Sequence, residues 1–180
     1  YSGPLLIDSK YDQSDKTKST LTDKDQLEGW DSKAKVEAFT RQMVQFANAY
    51  IQRDSESHKA MALTCMDESL TNWASANALM TDQVTGTGRA VRKWALAALA
   101  STLRKTLVLS DGDLQLTSPQ RAWLASVADK VEADYTPRQN PEFRYFNNHD
   151  YWAAWAMTAT GMILDNERYI SWGYRVFELA

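Results

Sequence analysis

The sequence has little of several features that would otherwise define a function. Its 180 residues include a single cysteine, Cys65, so no disulfide can form within the chain and the redox compartment stays undecided. No run of about 18 apolar residues occurs, which argues against insertion into a membrane. The formal net charge is −3, so the broad basic surface of a nucleic-acid-binding protein is missing. A local basic cleft for an acidic polysaccharide remains compatible with this balance.

Alternating apolar and polar residues and runs of β-branched residues are also scarce, so strands are not expected. Apolar residues instead recur at helical spacing, for example at Val36, Phe39 and Met43. The stretch 58–80 indicates two shorter helices, and 88–107 indicates an Ala- and Leu-rich helix that is buried on most sides. These patterns predict an all-α fold of helices joined by short connections.

Three later helices are marked by residues typical of helix starts. Ser118 is predicted as an N-cap because Pro119 follows it at the first helical position. Asn148 is a second predicted N-cap, and the last helix is expected to begin after Asp165 or Asn166.

We expect a single domain over residues 1–180. Residues 1–30 are polar and irregular and predict a loop, and the helices occupy 31–180. The chain starts without Met and without a recognisable signal peptide, and it ends on "YRVFELA" with no helix stop signal. On this basis we expect a processed start and a truncated end.

The segment "FRYFNNHDYWAAWA", residues 143–156, contains one of two histidines in the sequence. If Asn148 caps the helix, His149 is its first residue, where the positive end of the helix dipole disfavours an imidazolium and keeps the ring neutral. Asp150 acts in the opposite direction, because a nearby anion favours the charged ring. The alternative is that Asn148 only caps the helix and His149 is a solvated first-turn residue.

Other residues of this helix and its surroundings allow two interpretations each. Trp152 shares the His149 face, whereas Tyr151 and Trp155 form a pair that we expect to pack inward. On the 88–107 helix, the favoured interpretation places Trp94 in the core and the nearby charges in solvent; the other is a basic cleft wall with a stacking Trp. The nearby charges are Arg89, Arg92 and Lys93.

Two further groups of residues have a default interpretation without a binding role: the first is a set of solvated lysines, and the second is a lone histidine and a lone thiol on an apolar face. The lysines of the first loop, Lys10, Lys16 and Lys18, would contact a polyanion only if the loop covers it. His58 and Cys65 have no partners at metal-ligand spacing, so neither a metal nor another cofactor is expected.

Four separated segments resemble one known family. "NNHDYWAAWA" (147–156) is similar to the "NNH-x-YWAAW" signature of the polysaccharide lyase family that contains the bacterial mannuronate-specific alginate lyases. "DSKYDQSD" (8–15) resembles the family's "SKY-x-x-SD" lid loop, and "TGTGRAVRKWAL" (85–96) resembles its "HTGKSMRKWAL" stretch. "TNWASANAL" (71–79) resembles "SAWARAGAL". The order and approximate spacing agree along nearly the whole chain.

This resemblance implies an incomplete α/α toroid and β-elimination on a polyuronate, most of all mannuronate-rich alginate. Glucuronan or hyaluronan are alternatives within the same family. It also implies a periplasmic or secreted enzyme whose partner is an acidic polysaccharide. Two rival interpretations from other classes are a non-catalytic module that binds acidic polysaccharide and a helical scaffold with a coincidental motif.

The resemblance also assigns roles to individual residues. It implies Asn148 as the amide that holds the uronate carboxylate and His149 as the catalytic histidine, which assists that neutralisation or acts as the base. The expected substrate-binding residues are Ser9, Lys10, Tyr11, Thr87 and Trp152.

The sequence departs from the family pattern in two places. Gly86 replaces the family's histidine before the Thr, and no motif after His149 resembles the family's catalytic Arg and Tyr. The resemblance therefore predicts half of the active site here. If a tyrosine of this chain were the proton donor, Tyr145 or Tyr151 would be the first candidates.

Overall fold

The computed structural model of the protein describes residues 1–140, 142–143 and 146–179. Within these residues the fold is all-helical, as predicted, and its extended segments form only isolated bridges. The six α-helices are α1 (Trp30–Gln52), α2 (Glu56–Ser75), α3 (Gly86–Leu109), α4 (Ser118–Tyr135), α5 (Asn148–Leu164) and α6 (Glu167–Glu178). Short 3₁₀ turns span Lys24–Gln26 and Thr136–Arg138.

The helices form two rows around one core. Helix α3 packs between α1 and α5, and these three odd-numbered helices form the first row. The second row contains α2, which contacts α1 and α4, then α4, which also contacts α5, and α6, which packs on α5. Because α3 is covered by neighbours on several sides, most of its length is buried, as its Ala- and Leu-rich sequence predicts.

Helices α1 and α2 test the predicted apolar periodicity. Val36, Phe39 and Met43 are buried on one face of α1, which confirms that pattern. The prediction of two shorter helices within 58–80 is wrong, because α2 runs without interruption from Glu56 to Ser75. A continuous buried stripe holds it together, and no Gly or Pro interrupts it: Ala62, Leu63, Met66, Leu70 and Ala74.

Two helix starts lie one residue away from the predicted position. Thr117 caps α4 in place of Ser118, and Asn147 caps α5 in place of Asn148. In both cases the backbone N–H of the cap donates a hydrogen bond to the side chain of the third helical residue, so a capping box determines the start. Asn166 caps α6, in agreement with the prediction.

The first residues of the chain are irregular, as predicted, but they are attached firmly to the helices. Leu5 and Ile7 are fully buried in the core. The Thr85 hydroxyl, which caps α3, donates a hydrogen bond to the carbonyl of Ile7 (2.6 Å). A Cβ atom at Gly88 would lie 2.0 Å from the carbonyl oxygen of Leu5, so only glycine permits this close approach.

The aromatic residues of α5 face outward. The side chains of Tyr151 and Trp155 are 41% and 56% exposed, so the prediction that they pack inward is wrong. Helix α5 instead buries small residues and one methionine, which lets α3 and α6 approach it closely: Ala153, Ala154, Ala156 and Met157.

Candidate active site

One cavity of about 520 Å³ lies where the N-terminal segment crosses the ends of the odd-numbered helices. It is lined by the beginning of α1, the beginning of α3, His149 in the first turn of α5, and the segment around Tyr11. Five residues predicted from the sequence meet around it: Ser9, Lys10, Tyr11, Thr87 and His149. They lie far apart in the sequence, so the fold is what brings them together.

The helix dipoles give this cavity its electrostatic character. Helices α1, α3 and α5 each present their first turn to it, and the N-terminal end of a helix carries partial positive charge. The charged side chains of the lining are balanced, with Lys10 and Lys33 opposed by Asp8 and Glu37. The helix ends therefore supply a preference for an anionic ligand that the net charge of the chain does not reveal.

A short hairpin, residues 10–22, covers one side of the cavity. The N–H of Asp12 donates to the carbonyl of Thr20 (2.9 Å), and the N–H of Thr22 donates to that of Lys10 (3.0 Å). The Asp15 carboxylate organises the turn, because it accepts hydrogen bonds from Thr17, Ser19 and Thr20. These bonds depress the pKa of Asp15 strongly. The predicted loop is thus an ordered hairpin.

His149 forms the opposite side of the cavity. Its backbone N–H donates to the Asn147 side-chain oxygen (2.9 Å), and its ring lies 5.4 Å from that of Trp94. The Nζ atom of Lys93 is 2.8 Å from Nδ1 of the ring. Burial, followed by the charge of Lys93, lowers the pKa of His149, so the ring is biased toward its neutral form.

The favoured interpretation of α3 holds for Arg89, whose side chain is 52% exposed, but is wrong for Arg92, Lys93 and Trp94. Lys93 is fully buried and Arg92 nearly so, whereas Trp94 is 37% exposed and lines the cavity. Arg92 donates hydrogen bonds to the carbonyl of Leu79 (2.9 Å) and to Asp134 (3.0 Å), which compensates its burial. Trp94 therefore belongs to a cleft wall, the alternative considered from the sequence.

Sequence reasoning considered Lys93 as a solvated charge or as part of a basic cleft wall, and it missed the burial of this residue. Its position repeats the spacing of three buried alanines of α3, Ala90, Ala97 and Ala100, and this periodicity was the available signal. Burial lowers the pKa of Lys93 to about 7, with the charge of Asp150 acting in the opposite direction. Strongly shifted pKa values cluster at functional sites, so the lowered pKa of Lys93 beside His149 is in keeping with a functional site here.

The first turn of α5, which contains His149 and Asp150, is held in place by an ion pair. Arg138 donates from Nε and Nη2 to the two carboxylate oxygens of Asp150, at 2.6 and 2.8 Å. The N–H of Asn147 also donates to this carboxylate (2.8 Å). Burial acts to raise the pKa of Asp150, but these hydrogen bonds and the Arg138 charge outweigh it and lower the pKa. Asp150, in the first turn of α5, is therefore an ionised carboxylate held by Arg138 and by the N–H of Asn147.

Two predicted site residues lie beside the cavity and not in its lining. Asn148 is exposed on the first turn of α5, next to His149, and the cap at Asn147 leaves its amide free of the capping role. Trp152 lines a smaller groove of about 320 Å³, which shares Trp94 and Glu37 with the main cavity. The groove continues the cavity along α1 and α3.

The tyrosines proposed near His149 have different outcomes. Tyr145 lies outside the described residues. Tyr151 packs edge-on against Phe146 (ring centroids 5.3 Å apart) and close to Phe177 (5.9 Å). Tyr151 is not among the residues that line the cavity, whereas Tyr11 is.

The remaining candidates lie away from the cavity. Lys16 and Lys18 are exposed on the hairpin, and His58 is exposed on α2. Among the described residues, no three His, Cys, Asp or Glu side chains gather in a way that could hold a metal ion. None of the described helices combines the length and apolar character needed to cross a membrane.

The sequence is similar to a known family of proteins over nearly its whole length. Residues 6–180 match the family described as alginate lyase. Alginate lyases of Pseudomonas fluorescens (strain SBW25) and Cobetia marina are 34% and 31% identical over 185 aligned residues, which include 100% of this chain and 48% and 47% of the relatives. The chain thus spans about half the length of the curated relatives it matches.

A solved structure supports the same assignment for the fold. The crystal structure of alginate lyase A1-III from Sphingomonas species A1 superposes with a TM-score of 0.64 at 19% sequence identity, over 99% of this chain and 47% of that one. At this identity the likeness shows the fold alone, and it confirms the predicted α/α toroid. Taken with the match over residues 6–180, it follows that the chain belongs to the alginate lyase family.

Proposed function

We propose that this protein is a polyuronate lyase that cleaves mannuronate-rich alginate by β-elimination. The observation that carries the proposal is the single cavity that joins the hairpin residues, Thr87 and His149 at the positive ends of three helices. A uronate sugar carries the carboxylate that such a cavity favours. The curated relatives are named alginate lyases, which supports the choice of polymer.

The reaction has definite requirements. A base removes the proton at carbon 5 of the uronate, the electron pair forms a double bond between carbons 4 and 5, and the glycosidic oxygen on carbon 4 leaves and takes up a proton. The proton at carbon 5 is weakly acidic until the adjacent carboxylate is neutralised. Positioned hydrogen-bond donors at that carboxylate therefore lower the barrier.

The residues at the first turn of α5 are suited to that neutralisation. The exposed amide of Asn148 and the ring of His149 would bind the carboxylate, with the helix dipole behind them. Neither group introduces a negative charge into the site. Asp150, although adjacent, is engaged by Arg138 and does not oppose the substrate as a free carboxylate.

The hairpin and the two tryptophans complete the proposed binding surface. Ser9, Lys10 and Tyr11 would cover the bound sugar and exclude water. Trp94 and Trp152 line the continuing groove, where their rings offer apolar faces to neighbouring sugars. A polymer could thus extend from the cavity along the groove between α1 and α3.

The test is elimination by the full-length protein, followed as the ultraviolet absorbance of the unsaturated product. Mannuronate-rich alginate, glucuronan and hyaluronan would be compared. His149→Ala is expected to lose roughly 10²–10⁴-fold in kcat/KM. His58→Ala, at an exposed histidine on α2, is the matched control and should keep wild-type activity. If His149→Ala stays within a few-fold of wild type, the assignment of the site is wrong.

We also propose that the protein works in the periplasm or outside the cell, since a polysaccharide of this kind is encountered there. Cell fractionation of the native host, with detection by antibody, tests this. Recovery in the cytoplasmic fraction would contradict the proposal.

A further inference from the structure

Lys93 is held in an unusual environment for a lysine. Its side chain is fully buried on α3, and its hydrogen bonds go to His149: Nζ is 2.8 Å from Nδ1 and 3.3 Å from the carbonyl oxygen. The aromatic rings of Trp94 and Tyr135 lie 4.8 and 5.0 Å from Nζ. Burial of a charged lysine costs free energy unless hydrogen bonds or opposite charges compensate it.

The charged groups around this lysine come from several elements. Asp150 on α5 attracts it, but Arg138 of the Thr136–Arg138 turn engages Asp150 through both carboxylate oxygens. Burial raises the pKa of Tyr135 on α4 to about 12, so its phenol is neutral at physiological pH. Lys93 is thus directed toward the histidine ring and not toward a carboxylate of its own.

The chemistry of the contact determines the state of the ring. An ammonium group has no lone pair and can only donate hydrogen bonds, so its partner Nδ1 must be the unprotonated nitrogen of the imidazole. In the neutral ring the proton then lies on Nε2. Addition of a second proton would place an imidazolium beside a buried ammonium, which is unfavourable.

We propose that Lys93 is a positioning residue that holds His149 as the neutral Nε2–H tautomer, ready to donate a hydrogen bond to an anionic oxygen in the cavity. This deepens the proposed function, on which its biological meaning rests. It implies that His149 enters the reaction as a donor to the uronate carboxylate and not as the base. The proton at carbon 5 would then be removed by another group.

The tautomer can be measured without substrate, so the result does not depend on the proposed activity. The full-length protein would be labelled with ¹⁵N at histidine, and long-range ¹H–¹⁵N correlations recorded over a pH series that crosses the titration of Lys93, whose pKa is about 7. The tautomer is assigned on the acid side of that titration, where Lys93 is an ammonium group. The expected pattern for His149 is an unprotonated Nδ1 and a protonated Nε2. Exposed His58 on α2 provides an internal reference, and the spectrum of His149→Ala assigns the signals.

The variant Lys93→Met keeps the length of the side chain and removes its donors. We expect the pKa of His149 to rise toward its ordinary value, because the charge of Lys93 is removed, and both tautomers to be populated, with the His58 signals unchanged. A variant that acts only on packing would leave the tautomer as it is. An Nδ1–H tautomer in the wild-type protein would overturn the proposal, and this result does not depend on the folding of any variant. An unchanged tautomer and pKa of His149 in a folded Lys93→Met protein would also overturn it.

Discussion

The two sides of the cavity are built in opposite ways. The hairpin, residues 10–22, is polar and exposed, and bonds within itself hold it together, above all those to the Asp15 carboxylate. The opposite side, which we call the α3–α5 wall (Trp94 and His149), is fixed by burial and ion pairing of the residues behind it, Lys93 and Asp150. Because the hairpin is held by local, exposed bonds and the wall by buried ones, we expect the hairpin to open at a lower free-energy cost than the wall.

The largest effect is expected from breaking the ion pair behind the wall. Asp150→Asn removes the charge that binds Arg138 and weakens the capping box of α5. Because Asp150 is buried, we expect a loss of about 2–4 kcal/mol in the free energy of unfolding, measured by urea denaturation. Asp82→Asn removes a carboxylate from an exposed pair with Lys130 and serves as the control; its stability should match wild type.

The pH dependence of this pair has a definite sign. The pKa of Asp150 is lowered in the folded protein, so the folded state binds fewer protons than the unfolded one as the pH falls past the ordinary carboxyl range. The stabilisation from Asp150 is present above an unfolded pKa of about 4 and is lost below it. The difference in the free energy of unfolding between wild type and Asp150→Asn should therefore shrink as the solution becomes more acidic. A stability difference that is constant down to the acid limit would contradict this.

The attachment of the N-terminal segment should come next in size. In Gly88→Ala, the new methyl group meets the Leu5 carbonyl at 2.0 Å and displaces the segment that leads into the hairpin. Such overpacking costs about 1–3 kcal/mol, which thermal unfolding can measure. Gly86→Ala is the matched control, because nothing lies within 4 Å of its Cβ position. Equal melting temperatures for the two variants would show that the close approach is unimportant.

Replacement of Lys93 should stabilise the protein, with a characteristic pH dependence. Its pKa falls from 10.5 to about 7 on folding, so the cost of the buried ammonium is fully present below pH 7 and fades toward pH 10.5. Lys93→Met is thus expected to gain at least about 1 kcal/mol near pH 6 and nothing near pH 10. Lys105→Met changes an exposed lysine of the same helix and should show no such trend. A gain that does not shrink with pH would argue against the burial of a charge.

The smallest global effect is expected on the hairpin. Asp15→Ala removes the acceptor of the turn, whose bonds are all local and exposed. We expect faster amide hydrogen exchange within residues 10–22 and an unchanged melting temperature. A lowered melting temperature would show that the hairpin is coupled to the core more tightly than its contacts indicate.

Features that depend on a few neighbouring residues could be predicted from the sequence, whereas features that depend on contacts between helices could not. The face of Val36, Phe39 and Met43 and the cap at Asn166 were readable, because helical periodicity and capping are local properties. The caps at Asn147 and Thr117 were misplaced by one residue, since each depends on a hydrogen bond from the cap N–H to the side chain of the third helical residue.

The wall was the part that local patterns concealed. Lys93 and Arg92 lie in a run of charged residues, and a lysine is rarely fully buried, so the sequence favoured solvent for both. Tyr151 and Trp155 were predicted to pack inward as an i, i+4 pair on the face away from His149, but both are exposed and alanines are buried instead. Five of the residues that resemble the family's motifs did meet at the cavity, and here the resemblance supplied information that periodicity lacks.

The most direct test of the account is where a ligand protects the backbone. Amide hydrogen exchange of the full-length protein would be followed by mass spectrometry with and without a mannuronate oligosaccharide. The account predicts slower exchange in the hairpin, including Lys10 and Tyr11, and in the first turn of α5 at His149. The outer face around exposed Trp155 should be unchanged. Protection confined to other surfaces, with no change at the hairpin or at His149, would contradict the claim that this cavity is the polyuronate site.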